Sequence, residues 1–332
     1  MNTVGIKDVA LRAGVSMATV SNVLNRPDKV APSTRERVEK AIDVLGYVPN
    51  VVAQQLTGSR TSGMVGLVLF DVRNPFLSDI ARGAEDLLHT AAQPVMLCNT
   101  DVLPEKEERY LKLLAQQKAA GVLVTPADLS KGWLDGLRAR GLRVVLLDNT
   151  DAHPDVCSVA VDDVAGADAA VTHLLARGHQ RIAFVTGPMH MRQSRDRLAG
   201  SRRALERAGR PADALNVVET SAFTVDQGRR AGEQLLTVSD RVPAVFCAND
   251  LLALGVMQTA FRAKRRVPDD LAIVGYDDIH SAATAGVPLT SVHVGGYELG
   301  KAAAELLLDE DRPGHTHRRL VFPPRLIERS SS

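Results

Sequence analysis

Three short stretches near the start of the chain carry the apolar pattern of small packed helices. The first stretch places its apolar residues on one helical face, at Ile6, Val9, Ala10 and Ala13. It stops at Gly14, where a left-handed residue ends a helix. A second helix is predicted for 17–25 after the capping residue Ser16, and a third from Pro32 to Gly46. A tight turn between the first two helices predicts a helix-turn-helix, although spacing alone leaves a plain three-helix bundle open.

From Met64 onward, short apolar runs alternate with amphipathic helical stretches. The runs are 64–70, 94–98, 121–125, 143–147, 158–161, 181–186, 244–248 and 271–276. Continuous rather than alternating apolar runs are typical of parallel strands covered by helices on both faces. Such units could close a barrel or form two doubly wound parallel sheets. Because 64–88 and 181–208 look like equivalent first units of two lobes, we expect two sheets.

Length and composition describe an ordinary globular chain. Its 332 residues predict about two domains of ~150 residues each. No apolar run approaches the ~20 residues that a membrane-spanning helix requires, so we expect no membrane partner. The three cysteines are far apart, which argues against a disulfide framework and against metal-ligand spacing. The start of the chain has no secretory pattern, and we therefore expect a cytoplasmic protein.

Charge is unevenly distributed along the chain. Residues 1–60 contain eight Lys or Arg and five Asp or Glu, a net charge of +3, and the formal total of +1 leaves the remainder at −2. A modest basic excess in a short N-terminal segment is compatible with a polyanionic partner such as DNA.

The N-terminal sequence resembles the DNA-binding head of the lactose and galactose repressor family. The resemblance runs through IKDVALRAGVSMATVSNVLN (6–25) and VAPSTRERVEKAIDVLGYVPNVVAQQLTG (30–58). Residues 61–329 resemble the periplasmic-binding-protein-like core of the same family. The resemblance implies a helix-turn-helix domain at 1–48, a hinge at 49–60 and an effector-binding core at 61–329. In that core we expect lobe 1 at about 61–162 and 293–318, and lobe 2 at about 163–292 and 319–329.

The resemblance places the DNA contacts of the head on the second helix. The implied contact residues are Ser16, Met17, Ala18, Thr19, Ser21, Asn22 and Asn25. Thr19 and Ser21 would hold phosphates, whereas Met17, Ala18 and Asn22 would face base edges. Met17 and Ala18 offer apolar contact to a thymine methyl, and the amide of Asn22 suits adenine. The ordinary alternative for Met17 is a packed or solvated side chain.

The resemblance also implies that a short hinge helix enters the minor groove of a bound operator. Its contacts would be Asn50, Val52, Ala53 and Leu56, with Leu56 driven between base steps. An isolated helix of about eight residues is marginal in water, so DNA would have to stabilise it. The alternative is an ordinary interdomain linker.

In open α/β sheets, ligands bind outside the carboxyl ends of the strands, so two facing lobes predict a cleft. The polar and aromatic residues at these ends are Asn74, Phe76, Asp148, Asp162, Arg197, Phe223, Asn249 and Asp277. The resemblance favours Arg197, Asn249 and Asp277 as contacts, with Phe76 and Phe223 as walls. Such a lining suits a polar small molecule such as a sugar. For each residue the alternative is local capping or loop structure.

These observations predict a DNA-binding transcriptional regulator that is controlled by a small effector. We expect it to act as a repressor. Two heads would read a pseudo-palindromic operator, which predicts a homodimer. The alternatives are a small-molecule-binding protein or an α/β enzyme without a regulatory role. Dinucleotide, P-loop and nucleophile-elbow motifs are missing from the sequence, so we expect no catalytic residues and no cofactor. We expect no metal site, because a pair such as His315 and His317 is more often a surface feature.

Overall fold

The computed structural model describes residues 4–47, 63–126, 133–148, 155–237 and 243–332. Contacts divide the chain into two compact units, Met1–Gly63 and Met64–Ser332. Within the described ranges, no helix is both long and apolar enough to cross a lipid bilayer.

In its described residues 4–47, the first unit contains three helices, α1 (Ile6–Ala13), α2 (Met17–Asn25) and α3 (Pro32–Leu45), with a 3₁₀ turn at Pro27–Lys29. Its core contains Val9, Ala10, Ala13, Val20, Val23, Val38 and Ala41. Gly14 ends α1 with a left-handed φ of 63°, and the Ser16 hydroxyl accepts a hydrogen bond of 3.1 Å from the Thr19 backbone N–H. Arg37 of α3 donates to the Ala13 carbonyl oxygen at 2.6 Å. These contacts hold the turn between α1 and α2, and the predicted helix-turn-helix is confirmed.

The second unit contains two six-stranded sheets. The strands of the first sheet are β1 (Val65–Leu69), β2 (Val95–Asn99), β3 (Gly121–Val124), β4 (Arg143–Leu147), β5 (Cys157–Val161) and β11 (Arg319–Phe322). They are ordered β11-β5-β4-β3-β1-β2, and all the pairings are parallel. The strands of the second sheet are β6 (Ile182–Thr186), β7 (Leu215–Glu219), β8 (Ala244–Cys247), β9 (Ala272–Asp277), β10 (Thr290–His293) and β12 (Arg325–Ile327).

The second sheet repeats the order of the first as β12-β10-β9-β8-β6-β7. Its strands are parallel except for β12, which pairs antiparallel with β10 at the edge. The expectation of two doubly wound sheets is confirmed, with this single antiparallel strand as an addition, and the barrel alternative is excluded.

Helices cover both faces of each sheet. They are α4 (Pro75–Thr90), α5 (Pro104–Gln116), α6 (Trp133–Arg138), α7 (Asp163–Ala176), α8 (Arg192–Arg207), α9 (Val225–Thr237), α10 (Asp250–Arg262), α11 (His280–Ala283) and α12 (Gly296–Asp309). The helix pairs α4 with α12, α7 with α8, and α9 with α10 make the most extensive helix–helix contacts. This arrangement explains the continuous burial of β1, β5, β6 and β9.

Two glycines let α4 and α12 pack with their backbones in contact. A Cβ atom at Gly83 would lie 1.9 Å from the carbonyl oxygen of Tyr297, and one at Gly300 would lie 1.9 Å from that of Ile80. Any side chain at either position would therefore push the two helices apart.

The expected boundary between the lobes is wrong near the C-terminus. We expected 319–329 in lobe 2, but β11 pairs with β5 in the first sheet, with Arg319 opposite Ser158. The chain crosses to the second sheet after β11, at Pro323 and Pro324, which lack the N–H that a strand ladder needs. The other two crossings follow β5 and β10.

Candidate functional site

The surface of α2 carries the side chains that the sequence predicts to meet DNA. Met17 is 53% exposed, and Ala18 and Asn22 are also exposed. Val20 and Val23, on the opposite face, are buried in the core of the head. The helix therefore packs with one face and leaves the predicted recognition face accessible.

Thr19 and Ser21 are partly buried on α2. Ser16 is exposed, and its hydroxyl caps α2 and lies 2.9 Å from the Thr19 hydroxyl. The side chain of Asn25 lies outside the described part of the structure. The same is true of the four predicted hinge residues, Asn50, Val52, Ala53 and Leu56.

Seven of the eight predicted cleft residues line one small cavity between the two sheets. They are Asn74, Phe76, Asp148, Arg197, Phe223, Asn249 and Asp277, joined by Phe70 and Gln193. This cavity has a volume of about 20 Å³, and a neighbouring cavity of about 280 Å³ shares Phe70, Asn74 and Phe223 with it. Because strand ends from both sheets contribute, the two cavities together form a cleft between the lobes.

Arg197 lies at the inner end of this cleft and is 5% exposed. Its Nε donates to Asp163 Oδ1 at 2.9 Å, its Nη1 donates to the Ala248 carbonyl oxygen, and its Nη2 lies 4.0 Å from Asp277 Oδ1. The guanidinium carbon is 3.8 Å from the centre of the Tyr276 ring, a cation–π contact. Burial alone would lower the pKa of Arg197, but Asp163 and the neighbouring anionic groups raise it above its ordinary value. Arg197 therefore stays charged.

Asp148 connects the two lobes across the cleft. It follows β4 of the first sheet, and its Oδ2 accepts a hydrogen bond of 2.7 Å from Gln193 on α8. Arg192 of the same helix donates to the Asp148 carbonyl oxygen at 2.7 Å. Burial, reinforced by the nearby charge of Asp163, raises the pKa of Asp148 to about 6. We call Asp148, Asp163, Arg192, Arg197 and Asp277 the cleft cluster.

Two aspartates of the cleft cluster occupy the left-handed region of backbone space. Asp148 has a φ of 50° and Asp277 a φ of 98°, both directly at the carboxyl end of a strand. Burial raises the pKa of Asp277, against the lowering effect of Arg197. Sparsely populated backbone conformations concentrate at ligand sites, where the surrounding structure holds them.

Asn74 and Asn249 both line the cleft and cap helices. The Asn74 side-chain oxygen accepts from the Phe76 N–H at 3.1 Å, and that of Asn249 accepts from the Leu252 N–H at 2.9 Å. At both positions, therefore, the side chain caps a helix and also lines the cleft.

Asp162 does not line the cavity. Its Oδ1 accepts from the Ala165 N–H at 2.9 Å, which makes it the N-cap of α7, and the side chain is exposed. The structure therefore places Asp162 at the start of α7 and outside the lining of this cavity, and its contact with an effector stays a prediction.

Sequence reasoning missed Asp163, Arg192, Gln193 and Phe70 as members of the site. Gln193 precedes Arg197 by four residues, one helical turn, so helical spacing could have found it. Phe70 directly follows β1, at the strand-end position used for the other predictions.

Each unit contains a stretch that matches a described protein family. Residues 5–50 match "Bacterial regulatory proteins, lacI family", and residues 171–332 match "Periplasmic binding protein-like domain". The HTH-type transcriptional repressor PurR of Vibrio atlanticus (strain LGP32) is 34% identical over 98% of this chain and 98% of its own. A LacI family transcriptional regulator from Enterococcus faecium with bound ribose is 30% identical, covering 81% of this chain and 98% of its own, with a TM-score of 0.75.

The chain belongs to the LacI family of bacterial regulatory proteins.

The lac repressor dimer bound to operator and the anti-inducer ONPF has the same architecture. It is 28% identical, with a TM-score of 0.85 over 99% of both chains. LacI-family regulators are transcription factors, and the alternative of an α/β enzyme is set aside. Family membership confirms the head and the two-lobed core, and it leaves the individual contact residues as predictions.

Proposed function

We propose that this LacI-family protein is a cytoplasmic repressor that binds a pseudo-palindromic operator as a homodimer. An effector bound in the cleft raises or lowers the affinity for the operator. The observation that carries the proposal is the cleft itself. Seven residues predicted from strand ends line one cavity between the lobes, while an exposed recognition helix occupies a separate unit.

The proposed effector is a small polyhydroxylated molecule such as a sugar. The cavity offers one buried guanidinium, two carboxylates and three amides, and Phe70, Phe76 and Phe223 supply apolar faces. Such a combination suits hydroxyl groups on one side of a ring and C–H groups on the other. The related Enterococcus faecium regulator with bound ribose supports this class.

The proposed DNA contacts are divided between two elements. Thr19 and Ser21 position the head on phosphates, whereas Met17, Ala18 and Asn22 face base edges, with Ser16 and Asn25 as further contacts at the two ends of the same helix. Residues 49–60 act as the hinge, through Asn50, Val52, Ala53 and Leu56. The lac repressor dimer bound to operator supports both the dimer and the DNA partner.

The decisive experiment selects bound sequences from a pool of random DNA duplexes with the full-length protein. We expect a pseudo-palindromic site whose affinity falls steeply as salt is raised. Asn22→Ala should relax base preference at one position of each half-site by about 1–3 kcal/mol. Selection of no palindrome, or equal weakening on every sequence, would contradict the proposal.

The effector class is tested by melting the full-length protein with panels of sugars, sugar phosphates and nucleosides. A bound compound should raise the melting temperature and change operator affinity. Compounds that stabilise the protein but leave operator affinity unchanged would separate the cleft from the proposed control of DNA binding.

A further inference from the structure

Four side chains with metal-ligand chemistry converge at the edge of the first sheet that lies opposite the cleft. Cys157 begins β5, Glu310 directly follows α12, and His315 and His317 lie in the segment that leads into β11. One donor atom from each of the four lies within 4.8 Å of the others. We call these residues the Cys157 cluster.

The distances in the Cys157 cluster approach those of a tetrahedral centre. The Cys157 sulfur lies 3.4 Å from His315 Nε2 and 3.7 Å from His317 Nδ1. Zinc bonds of about 2.3 Å to sulfur and about 2.0 Å to nitrogen, set at the tetrahedral angle, separate the two donors by about 3.5 Å. His317 Nδ1 lies 3.9 Å from Glu310 Oε1, so a small inward movement of the carboxylate completes the set.

A second observation, at Glu310, supports a cation ligand. Its side chain is only 9% exposed, and within the described residues its Oε1 atom is buried and accepts no hydrogen bond. An unsatisfied carboxylate oxygen is costly inside a protein. The nearby cation Arg318 bonds to Asp309 at 2.7 Å rather than to Glu310. A metal ion at the centre of the cluster would satisfy Oε1.

His315 is oriented as metal-binding histidines usually are. Its Nδ1 lies 3.3 Å from Asp309 Oδ2, while its Nε2 faces the Cys157 sulfur. A carboxylate behind the far ring nitrogen fixes the tautomer and leaves the other nitrogen's lone pair for the metal. The rings of His315 and His317 are 5.0 Å apart and nearly perpendicular. Each ring therefore directs a nitrogen inward without stacking on the other.

We propose that Cys157, Glu310, His315 and His317 bind one Zn²⁺ ion per chain. One sulfur, two nitrogens and one oxygen form a donor set that suits zinc, whereas calcium and magnesium prefer all-oxygen sites. On binding, the S–H bond of Cys157 breaks, its proton passes to solvent and the thiolate bonds to the ion. His317, whose side chain is 31% exposed, leaves a route of entry from solvent.

The ion would act as a structural clamp. It ties the start of β5 to the segment that connects α12 with β11, two parts of lobe 1 separated by about 150 residues of sequence. Cys157 and the cleft lie at opposite ends of β5, about 13 Å apart along the strand. The clamp therefore does not share ligands with the effector site.

The test uses tag-free, full-length protein that has been stripped of metal with a chelator. Co²⁺ serves as a spectroscopic probe, and Zn²⁺ is titrated in competition with a chromophoric chelator. We expect one ion per chain, tetrahedral Co²⁺ bands and a sulfur-to-cobalt charge-transfer band. Failure to bind either ion, or a cobalt spectrum without the sulfur band, would overturn the proposal.

Variants separate the cluster from adventitious binding. Cys157→Ser should remove the sulfur band, while the matched control Cys98→Ser, at a second buried cysteine, should keep it. If Cys157→Ser fails to fold, His317→Ala provides the answer, because this partly exposed side chain is removed with little loss of packing. It should weaken Zn²⁺ binding by at least about 100-fold, more than is usual for a second-shell residue. Unchanged affinity would overturn the site.

This proposal and the proposed function fail independently. Operator selection and effector binding test the head and the cleft, whereas cobalt spectra test only the Cys157 cluster.

Discussion

The cleft cluster and the Cys157 cluster lie at opposite edges of the α/β core and handle buried polar groups differently. In the cleft cluster, Arg192 and Arg197 face Asp148, Asp163 and Asp277, so the chain supplies both signs of charge. In the Cys157 cluster, the chain brings sulfur, nitrogen and oxygen donors to one point, and the ion pair of the largely buried Glu310 is with a histidine, His317, at 3.9 Å.

The difference teaches where each cluster obtains its stability. A buried ion pair that is complete within the chain is sensitive to loss of either partner, because the remaining charge is stranded. A cluster that takes up an outside ion is sensitive instead to the concentration of that ion. Substitution of a charged residue should therefore destabilise the cleft cluster most strongly. The stability of the Cys157 cluster should depend most on the concentration of the metal ion in solution.

The largest expected effect comes from breaking the cleft cluster at its centre. Arg197→Ala leaves the fully buried Asp163 without its strongest partner, and we expect a loss of about 3–5 kcal/mol in unfolding free energy. The same variant should lose the effector response. Denaturant unfolding and effector titration measure the two effects. Arg203→Ala, on the same helix but 51% exposed, should cost no more than about 1 kcal/mol. Equal losses would contradict the comparison.

Zinc should affect only the Cys157 cluster. At a free Zn²⁺ concentration 100 times its dissociation constant, the unfolding free energy should rise by about 2.7 kcal/mol, and excess chelator should reverse the gain. Denaturation with and without zinc measures the effect, and Cys157→Ser should abolish it. An equal zinc effect in Cys157→Ser would place the ion elsewhere.

A smaller effect concerns the pH dependence of the cleft cluster. The folded pKa of Asp148, about 6, exceeds its unfolded value of about 3.9, so the folded state binds the proton more tightly. The resulting contribution to stability is complete below about pH 4 and is lost as the pH rises through about 6. The Asp148→Asn variant has no carboxyl group at this position, so it should not lose this stability as the pH rises.

The unfolding free energy of Asp148→Asn, relative to that of the parent protein, should therefore increase by about 2 kcal/mol between about pH 4 and about pH 8. Asn tolerates the left-handed backbone of this position. The groups that face Asp148 are Asp163, Arg192, Gln193, Arg197 and Asp277, and all of them are retained in the variant. Asp213→Asn, at an exposed position, serves as the control. A stability difference that does not vary with pH would contradict the assignment.

The smallest effect separates the cleft from its rim. Asp162→Ala removes the N-cap of α7, and we expect a loss of about 1 kcal/mol in stability. Because Asp162 does not line the cavity, effector affinity should stay unchanged. Asp162→Asn, which preserves the cap, should restore most of the stability. A large loss of effector affinity in either variant would show that Asp162 contacts the effector.

Most of the cleft could be predicted from sequence because parallel strands end at a common edge. Polar residues directly after apolar runs, such as Asp148 and Asn249, were therefore expected to converge. The same reasoning did not account for the position of Asp162 outside the cavity lining, since a carboxylate at a strand end can also cap a helix.

Other features needed the fold. The strand β7 lies at a sheet edge and buries only Leu215 and Val218, so it lacks the continuous apolar pattern used to find strands. The Cys157 cluster depends on the pairing of β5 with β11, which brings His315 and His317 to a cysteine more than 150 residues earlier. The spacing of histidines and cysteines in the sequence cannot reveal that pairing.

The helix α12 runs from the second crossing between the lobes, at Gly295, to Glu310 in the Cys157 cluster. Its length of about 20 Å makes it a rod that spans lobe 1. Because Gly83 and Gly300 bring the backbones of α4 and α12 into contact, the two helices are held close together at these two points. A rotation at the junction of the two lobes is therefore transmitted to the far end of lobe 1 through the single helix α12.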